Sequence, residues 1–350
     1  MKVLVVKISA LGDVVHALPV LAYLKSADSA VEIDWLVEKA FAPLLEGHPL
    51  IRRVHALEMK AWRRQGWKQA VAGTLGMIRA LRRERYDLVL DLQGNSKSGL
   101  FTLLSGAPLR VGFDREGARE WPNLLATSRR VSLTAADHHV GDRALALARA
   151  GLPGGNAALL AGPLPVEPQA LAKIEALLTE AGLGAGPLVV LHYGTTWTTK
   201  LWPLESWQQL ASLLAEKGLR PILTWGNDKE EAAAQSIFAA SAGRAVIWPR
   251  GGLKDLVALL SRVDLVVGAD TGPVHIAAAV DTPTVSIYRV TDATRNGPRG
   301  EKHIRLQVDL PCSPCLKKAC ERDGECGGRI TPAQVLAAMA TLCPALSSDS

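Results

Sequence analysis

Long apolar runs are missing from this sequence of 350 residues. A membrane-spanning helix needs roughly 18 to 20 apolar residues without charge. Nothing here approaches that, so any membrane contact is expected to be peripheral. The opening apolar run, Val3 to Val6, is cut by Lys7 and then Asp13. It lacks the longer core and cleavage site of a secretory signal, and the chain is expected to stay in the cytoplasm. Tyrosine and phenylalanine are scarce, four each against nine tryptophans. The tryptophans are scattered and not interleaved with basic residues, which excludes the stacking platform of a nucleic-acid strand binder. Charge of one sign is in small excess only: 40 Lys+Arg against 34 Asp+Glu leaves +6, a mild bias toward phosphate-rich ligands or an anionic surface.

Several catalytic signatures are absent as well. No His-Glu-x-x-His pair exists for a zinc hydrolase. Gly182-Leu-Gly-Ala-Gly186 precedes a predicted strand instead of following one, so it reads as a turn and not as a dinucleotide fingerprint. Gly94-Asn-Ser-Lys-Ser98 lacks the glycine spacing of a phosphate-binding P-loop. Cysteine is sparse, and four of the five fall at Cys312, Cys315, Cys320 and Cys326. Their irregular spacing leaves zinc, local disulfides and free thiols open. Cys343, in phase with Leu336 and Met339 on a helix predicted over 332–342, is expected in the core.

What is present is an alternation of short Val/Ile/Leu runs with helix-length segments, the pattern of parallel sheets covered by helices. Strands are predicted at 2–8, 31–37, 88–92 and 109–113, then at 188–193, 219–225, 245–248, 264–268 and 284–288. The fold class is therefore α/β, with two Rossmann-like domains at 1–160 and 161–350 joined through the Pro/Gly-rich stretch 151–169. Doubly wound sheets bind ligands beyond the carboxyl ends of their strands, and the two domains are expected to present those ends to a shared cleft.

Four strand ends carry candidate chemistry. Asp13 follows Gly12 and is predicted to cap a helix bearing Val14, Leu18, Leu21 and Leu24. It is either a plain cap or a carboxylate that takes a proton from a substrate hydroxyl, with Lys7 and His16 nearby. The segment from His192 to Pro203 concentrates hydroxyls, backbone N–H groups and the Lys200 ammonium where an anion would sit. In the loop after the strand ending at Gly268, Pro273 opens a helix whose positive end suits a pyrophosphate. Asp270 would repel phosphate and is expected to meet a sugar hydroxyl or Lys200, while His275 reads as a satisfied, half-buried histidine. Glu230 is placed to reach ribose hydroxyls; Glu231 reads as a solvated first-turn residue.

Taken in order, these segments resemble the ADP-heptose:lipopolysaccharide heptosyltransferases. The likeness rests on Val6-Lys-Ile-Ser-Ala-Leu-Gly-Asp-Val-Val-His-Ala-Leu-Pro19, Asp91-Leu-Gln-Gly-Asn-Ser-Lys-Ser98, Ala118-Arg-Glu120, Thr195-Thr196 through Lys200-Leu-Trp-Pro203, and Gly268-Ala-Asp-Thr-Gly-Pro-Val-His275. It spans nearly the whole chain. The opening is most like the branch that acts on Kdo-lipid A, whereas the cysteine cluster is more like the branch that adds a later heptose. The resemblance implies the two-domain GT-B fold and inverting transfer of L-glycero-D-manno-heptose from an ADP-heptose donor. It implies Asp13 as general base, and Thr195, Thr196, Lys200, Glu230, Asp270, Thr271, Gly272 and His275 as donor-binding residues. Lys60, Arg63, Gln93 and Arg119 are implied for a phosphorylated Kdo-lipid A acceptor. It further implies no required cofactor or catalytic metal, no nucleic-acid partner, and peripheral contact with the inner face of the inner membrane. Three alternatives stand beside it: addition of the second or a later heptose, a nucleotide-binding module without turnover, and a metal-dependent regulator built on the cysteines.

Overall fold

The computed structural model describes residues 1–156, 164–184 and 186–346. These fall into two units, Met1–Pro165 and Val166–Ser350. The predicted boundary between 160 and 161 lies outside the described residues, as does the middle of the Pro/Gly-rich stretch, 157–163.

In the first unit the strands are β1 (Lys2–Val6), β2 (Glu32–Glu38), β3 (Arg53–Leu57), β4 (Leu88–Asp91), β5 (Leu109–Phe113) and β6 (Arg129–Val131). They pair in the order β3-β2-β1-β4-β5-β6, every pair parallel. The helices are α1 (Leu11–Ala17), α2 (Pro19–Ala27), α3 (Met59–Arg64), α4 (Trp67–Glu84), α5 (Ser96–Leu104) and α6 (Val140–Gly151). Val3, Leu4, Val5 and Val6 are all fully buried, so both faces of β1 are covered and the strand reads as an unbroken apolar run. Leu4, Val6 and Ile8 share a core with Leu81, Tyr86, Val89 and Phe101.

The second unit repeats the plan. Its strands are β7 (Val189–His192), β8 (Ile222–Leu223), β9 (Val246–Ile247), β10 (Leu265–Ala269), β11 (Thr284–Tyr288) and β12 (His303–Gln307), in the order β12-β11-β10-β7-β8-β9, again all parallel. The helices are α7 (Pro168–Glu180), α8 (Leu204–Glu216), α9 (Asp228–Ala240), α10 (Leu253–Arg262), α11 (Gly272–Ala279), α12 (Ala293–Asn296), α13 (Asp323–Gly328) and α14 (Pro332–Leu342). Trp202 and Trp207 meet edge to face at 4.9 Å between ring centroids inside its core.

Three predictions need correction. Asp13 is not a cap: Ala10 stands at that position and Asp13 is the third residue of α1. The helix predicted through Leu24 is two helices, because Pro19 has no N–H to donate and opens α2 instead. The strand predicted at 219–225 shortens to Ile222–Leu223 behind Pro221, which likewise cannot donate to the ladder. Among the described residues no helix is long and apolar enough to cross a membrane.

Candidate functional site

In a parallel sheet every strand ends at the same edge, so the segments after β1, β3, β4 and β5 share one rim of the first unit. The segment after β1 carries Asp13. Its turn is fixed from beneath by Gln93, whose Oε1 accepts from the backbone N–H groups of Ile8 (3.0 Å) and Ser9 (3.1 Å). Gln93 is itself held by the fully buried Asp91, whose Oδ1 accepts from the N–H groups of Gln93 and Gly94 and whose Oδ2 accepts from Thr102 and Asn123. Gly94 adopts φ +70°, and a Cβ there would lie 3.1 Å from the Phe113 ring. A glycine thus lets the Gly94 carbonyl accept from the Arg119 N–H at 2.8 Å, which brings a residue 106 positions from Asp13 to its side.

Two cations converge on Asp13. The Arg119 guanidinium donates to Oδ2 at 2.7 Å, and the Lys7 ammonium, anchored on the Leu92 carbonyl at 3.0 Å, lies 3.6 Å from the same oxygen. Burial would push the Asp13 carboxyl up, but Lys7 and Arg119, with a smaller contribution from His16, outweigh it and hold the group well below the usual carboxylate range. Lys7 pays for its position: burial lowers its pKa, opposed by Asp13. The Asp13 side chain keeps 23% of its surface exposed, so an ionised acceptor oxygen is within reach of a ligand. Lys60 and Arg63 sit on α3, two strands away along the same rim and exposed.

The second unit has its own rim, from the segments after β7, β8 and β10. Lys200 closes the loop after β7, and its ammonium donates to Asp270 Oδ2 at 2.6 Å. The other oxygen, Oδ1, lies 3.2 Å from His275 Nε2, which places the buried His275 on α11 behind the acid. Burial would raise the Asp270 carboxyl, yet the His275 hydrogen bond and Lys200 drive it far down. Of the two partners expected for Asp270, a sugar hydroxyl or Lys200, the geometry shows Lys200; His275, expected half-buried, is buried and meets the acid through Nε2. Gly268 allows β10 to run close to its neighbours; a Cβ there would come within 2.6 Å of Val274 and 3.2 Å of the His192 carbonyl. Thr271 and Gly272 open α11, and Thr195 and Thr196 lie on the Lys200 loop, Thr196 exposed. Glu230 ties the loops after β7 and β8 together: its Oε2 accepts from the Gly226 N–H at 2.7 Å, and its carboxylate lies over Gly194.

Sequence reading missed Lys318 on this rim. Its ammonium stands 4.9 Å from the centre of the Trp197 ring, with Lys200 at 5.0 Å from the same ring. The Lys317-Lys318 pair inside the cysteine-rich segment was the available signal, and the Thr199 hydroxyl, which donates to the Lys317 carbonyl at 2.7 Å, fastens that segment to the loop. The cysteines themselves are free thiols, and among the described residues no group of three or more His, Cys, Asp or Glu side chains is gathered to hold a metal. Cys343 caps α14, half-buried against the core.

Comparison with known proteins bears on this arrangement. The profile of the family described as glycosyltransferase family 9 (heptosyltransferase) matches residues 74–324. Lipopolysaccharide heptosyltransferase 1 of Pseudomonas aeruginosa is 36% identical over 321 residues, covering 91% of this chain and 87% of its own length. The structure of Escherichia coli heptosyltransferase WaaC with ADP superimposes with a TM-score of 0.79 at 29% identity, covering 98% of this chain and 100% of that one. The same enzyme with ADP-2-deoxy-2-fluoro heptose gives a TM-score of 0.74 at 28% identity, covering 97% and 99%.

Proposed function

The chain belongs to glycosyltransferase family 9, the heptosyltransferases, with the GT-B fold of two Rossmann-like units, and we propose that it moves L-glycero-D-manno-heptose from ADP-heptose to a phosphorylated Kdo-lipid A acceptor in lipopolysaccharide inner-core assembly. The observation that carries the reading is Asp13: a partly exposed carboxylate at the carboxyl rim of a parallel sheet, kept ionised by Lys7 and Arg119. In the proposed step Asp13 takes the proton of an acceptor hydroxyl as that oxygen attacks the anomeric carbon. The new C–O bond forms as the bond to the β-phosphate oxygen breaks, so ADP departs from the opposite face and the anomeric configuration inverts.

The first unit then serves the acceptor and the second the donor. Lys200 meets the negative charge that grows on departing ADP, helped by the N–H groups at the start of α11 and the Thr195-Thr196 hydroxyls. Asp270 and His275 aim the Lys200 ammonium, which reaches them over 2.6 Å and, through the acid, 3.2 Å. Thr271 and Gly272 flank the diphosphate, and Glu230 takes the ribose hydroxyls. Lys60, Arg63 and Arg119 meet acceptor phosphates and carboxylates, and Gln93 holds the turn beneath the base. The proposal assigns this charge neutralisation to an ammonium and to backbone dipoles, with no cofactor in the step. The enzyme would work at the cytoplasmic face of the inner membrane, where such an acceptor lies.

The test is an acceptor panel read by mass spectrometry of the glycolipid. With ADP-heptose, Kdo-lipid A should gain one heptose mass while an already heptosylated acceptor should not. Gain only on the heptosylated acceptor would move the enzyme to a later heptose, and ADP binding without transfer to either would reduce it to a nucleotide-binding module.

A further inference from the structure

A groove of about 400 Å³ opens beside α3, α4 and α5, lined among others by Met59, Trp62, Ala70, Thr74, Ile78 and Leu104. Its floor exists because Gly73 lacks a side chain: a Cβ there would sit 2.5 Å from the Trp62 indole, so the ring lies directly on the α4 backbone. Val71 and Leu75 line the groove from α4, and Trp67, one turn before Val71, extends their stripe along the same side of that helix; Trp67, Val71 and Leu75 are 74%, 49% and 44% exposed. On α5 Leu100, 40% exposed, lines it too, and Leu103 on the same helix is 44% exposed. Isolated exposed leucines need no explanation, but a groove lined by exposed Val71, Leu75 and Leu100, with exposed Trp67 and Leu103 on the same two helices, is a contact surface.

Charge identifies what it contacts. Residues 59–85 contain eight cations, Lys60, Arg63, Arg64, Lys68, Arg79, Arg82, Arg83 and Arg85, against one acid, Glu84, in a chain that is otherwise nearly balanced. Glu84 is already paired with Arg52 and Arg53. A second copy of this face would set cations against cations, which disfavours an isologous dimer. An apolar stripe with tryptophan at one end, bordered by long cationic side chains over an 18-residue helix, matches an interfacial helix lying on anionic lipid. Tryptophan prefers the headgroup level, and lysine and arginine rest on lipid phosphates.

We propose that the α3–α5 face docks on an anionic lipid bilayer, with Trp67, Val71, Leu75, Leu100 and Leu103 entering the headgroup region and the neighbouring lysines and arginines engaging phosphate. This deepens the proposed function and rests on that reading for which membrane is met; the bilayer contact itself rests on this face alone.

The test is co-sedimentation of the full chain with phosphatidylcholine vesicles, with and without phosphatidylglycerol and free of any glycolipid acceptor. Binding should require the anionic lipid and weaken with salt. The triple change Trp67→Gln, Val71→Gln, Leu75→Gln, and separately Lys68→Glu, should each lower the partition coefficient by about tenfold or more. Leu316→Gln, at a 61% exposed leucine in the second unit, should leave it unchanged. Heptose transfer to a water-soluble, deacylated acceptor should persist in every variant. Equal binding to neutral vesicles, no vesicle binding by the unaltered chain, unaltered binding in the variants, or loss of a concentration-dependent dimer or of acidic-peptide binding in place of vesicle binding would each overturn the proposal. Vesicle binding without transfer to any acceptor would instead count against the heptosyltransferase reading and leave this surface standing.

Discussion

Asp13 in the first unit and Asp270 in the second are two versions of one device. Each is a carboxylate beyond the end of a parallel strand, each is held ionised by two neighbouring nitrogen-bearing side chains, and each lies far below the usual carboxylate range despite burial. They differ in what reaches outward. The Asp13 side chain is 23% exposed and its partner Lys7 only 10%, which fits the proposed roles of the acid as the working group and the buried cation as its support. At the second site Asp270 is 6% exposed and Lys200 16%, which fits the proposed roles of the cation as the ligand contact and the acid as its guide. In the proposed reading, swapping which member of the Asp–Lys pair is the more buried turns a proton acceptor into an anion clamp, while the second partner changes from Arg119 to His275.

That contrast can be broken from either side. Among changes that leave Asp13 in place, the largest effect is expected from Lys200→Ala. Removing an electrostatic contact to a leaving group costs about 10²–10³ in rate, so transfer should drop by that order and ADP should bind more weakly in calorimetry. A Lys200→Ala chain with normal ADP affinity and turnover would end the clamp assignment.

A smaller and pH-dependent effect is expected from Lys7→Met. The base must be ionised to work, and the Lys7 charge is the largest single Coulombic pull that keeps it so. Without the ammonium the Asp13 pKa rises, so the acid limb of the rate profile should move to higher pH, by about 1 to 3 units for loss of a neighbouring opposite charge. At neutral pH the titration alone should change little. A purely structural role for Lys7 would lower the whole profile without displacing it.

The smallest effect concerns stability. His192, at the end of β7, is pushed down by burial to about 4 from 6.5. Folding favours its neutral form, so its contribution is complete above the unfolded value and is lost as pH falls from 6.5 through about 4. His192→Gln should flatten the fall in melting temperature across that window, read by calorimetry, while His303, also near 4 through burial, keeps part of the slope.

Much of this was legible in the sequence because it is local. Strands buried on both faces, such as Val3 to Val6, announce themselves as apolar runs, and the anion loop and the Asp270 loop follow such runs directly. Edge strands do not. β3, β6 and β12 sit at sheet edges and carry Arg53, Arg129 and Arg130, and His303 and Arg305, so the apolar signal is broken by polar side chains that solvent tolerates; on β3 it is broken again by His55, buried against Asp34 and Tyr86. The short β9, at the remaining edge, was found only because Ala245 to Trp248 stays apolar. Pairings across the chain were equally hidden. No spacing rule joins Arg119 to Asp13 or Lys318 to Trp197; both depend on loops tied down by Gly94 and Thr199. The Asp13 cap was misplaced because Ala10, which has no capping side chain, begins α1.

The most direct test of the account is Asp13→Ala, with ADP affinity and heptose transfer measured on the same preparation. Unchanged ADP affinity is expected, since the proposed donor contacts all lie in the second unit, with a transfer rate lower by about 10²–10⁴, the scale of a lost general base. Transfer at the original rate, with ADP still bound normally, would contradict it.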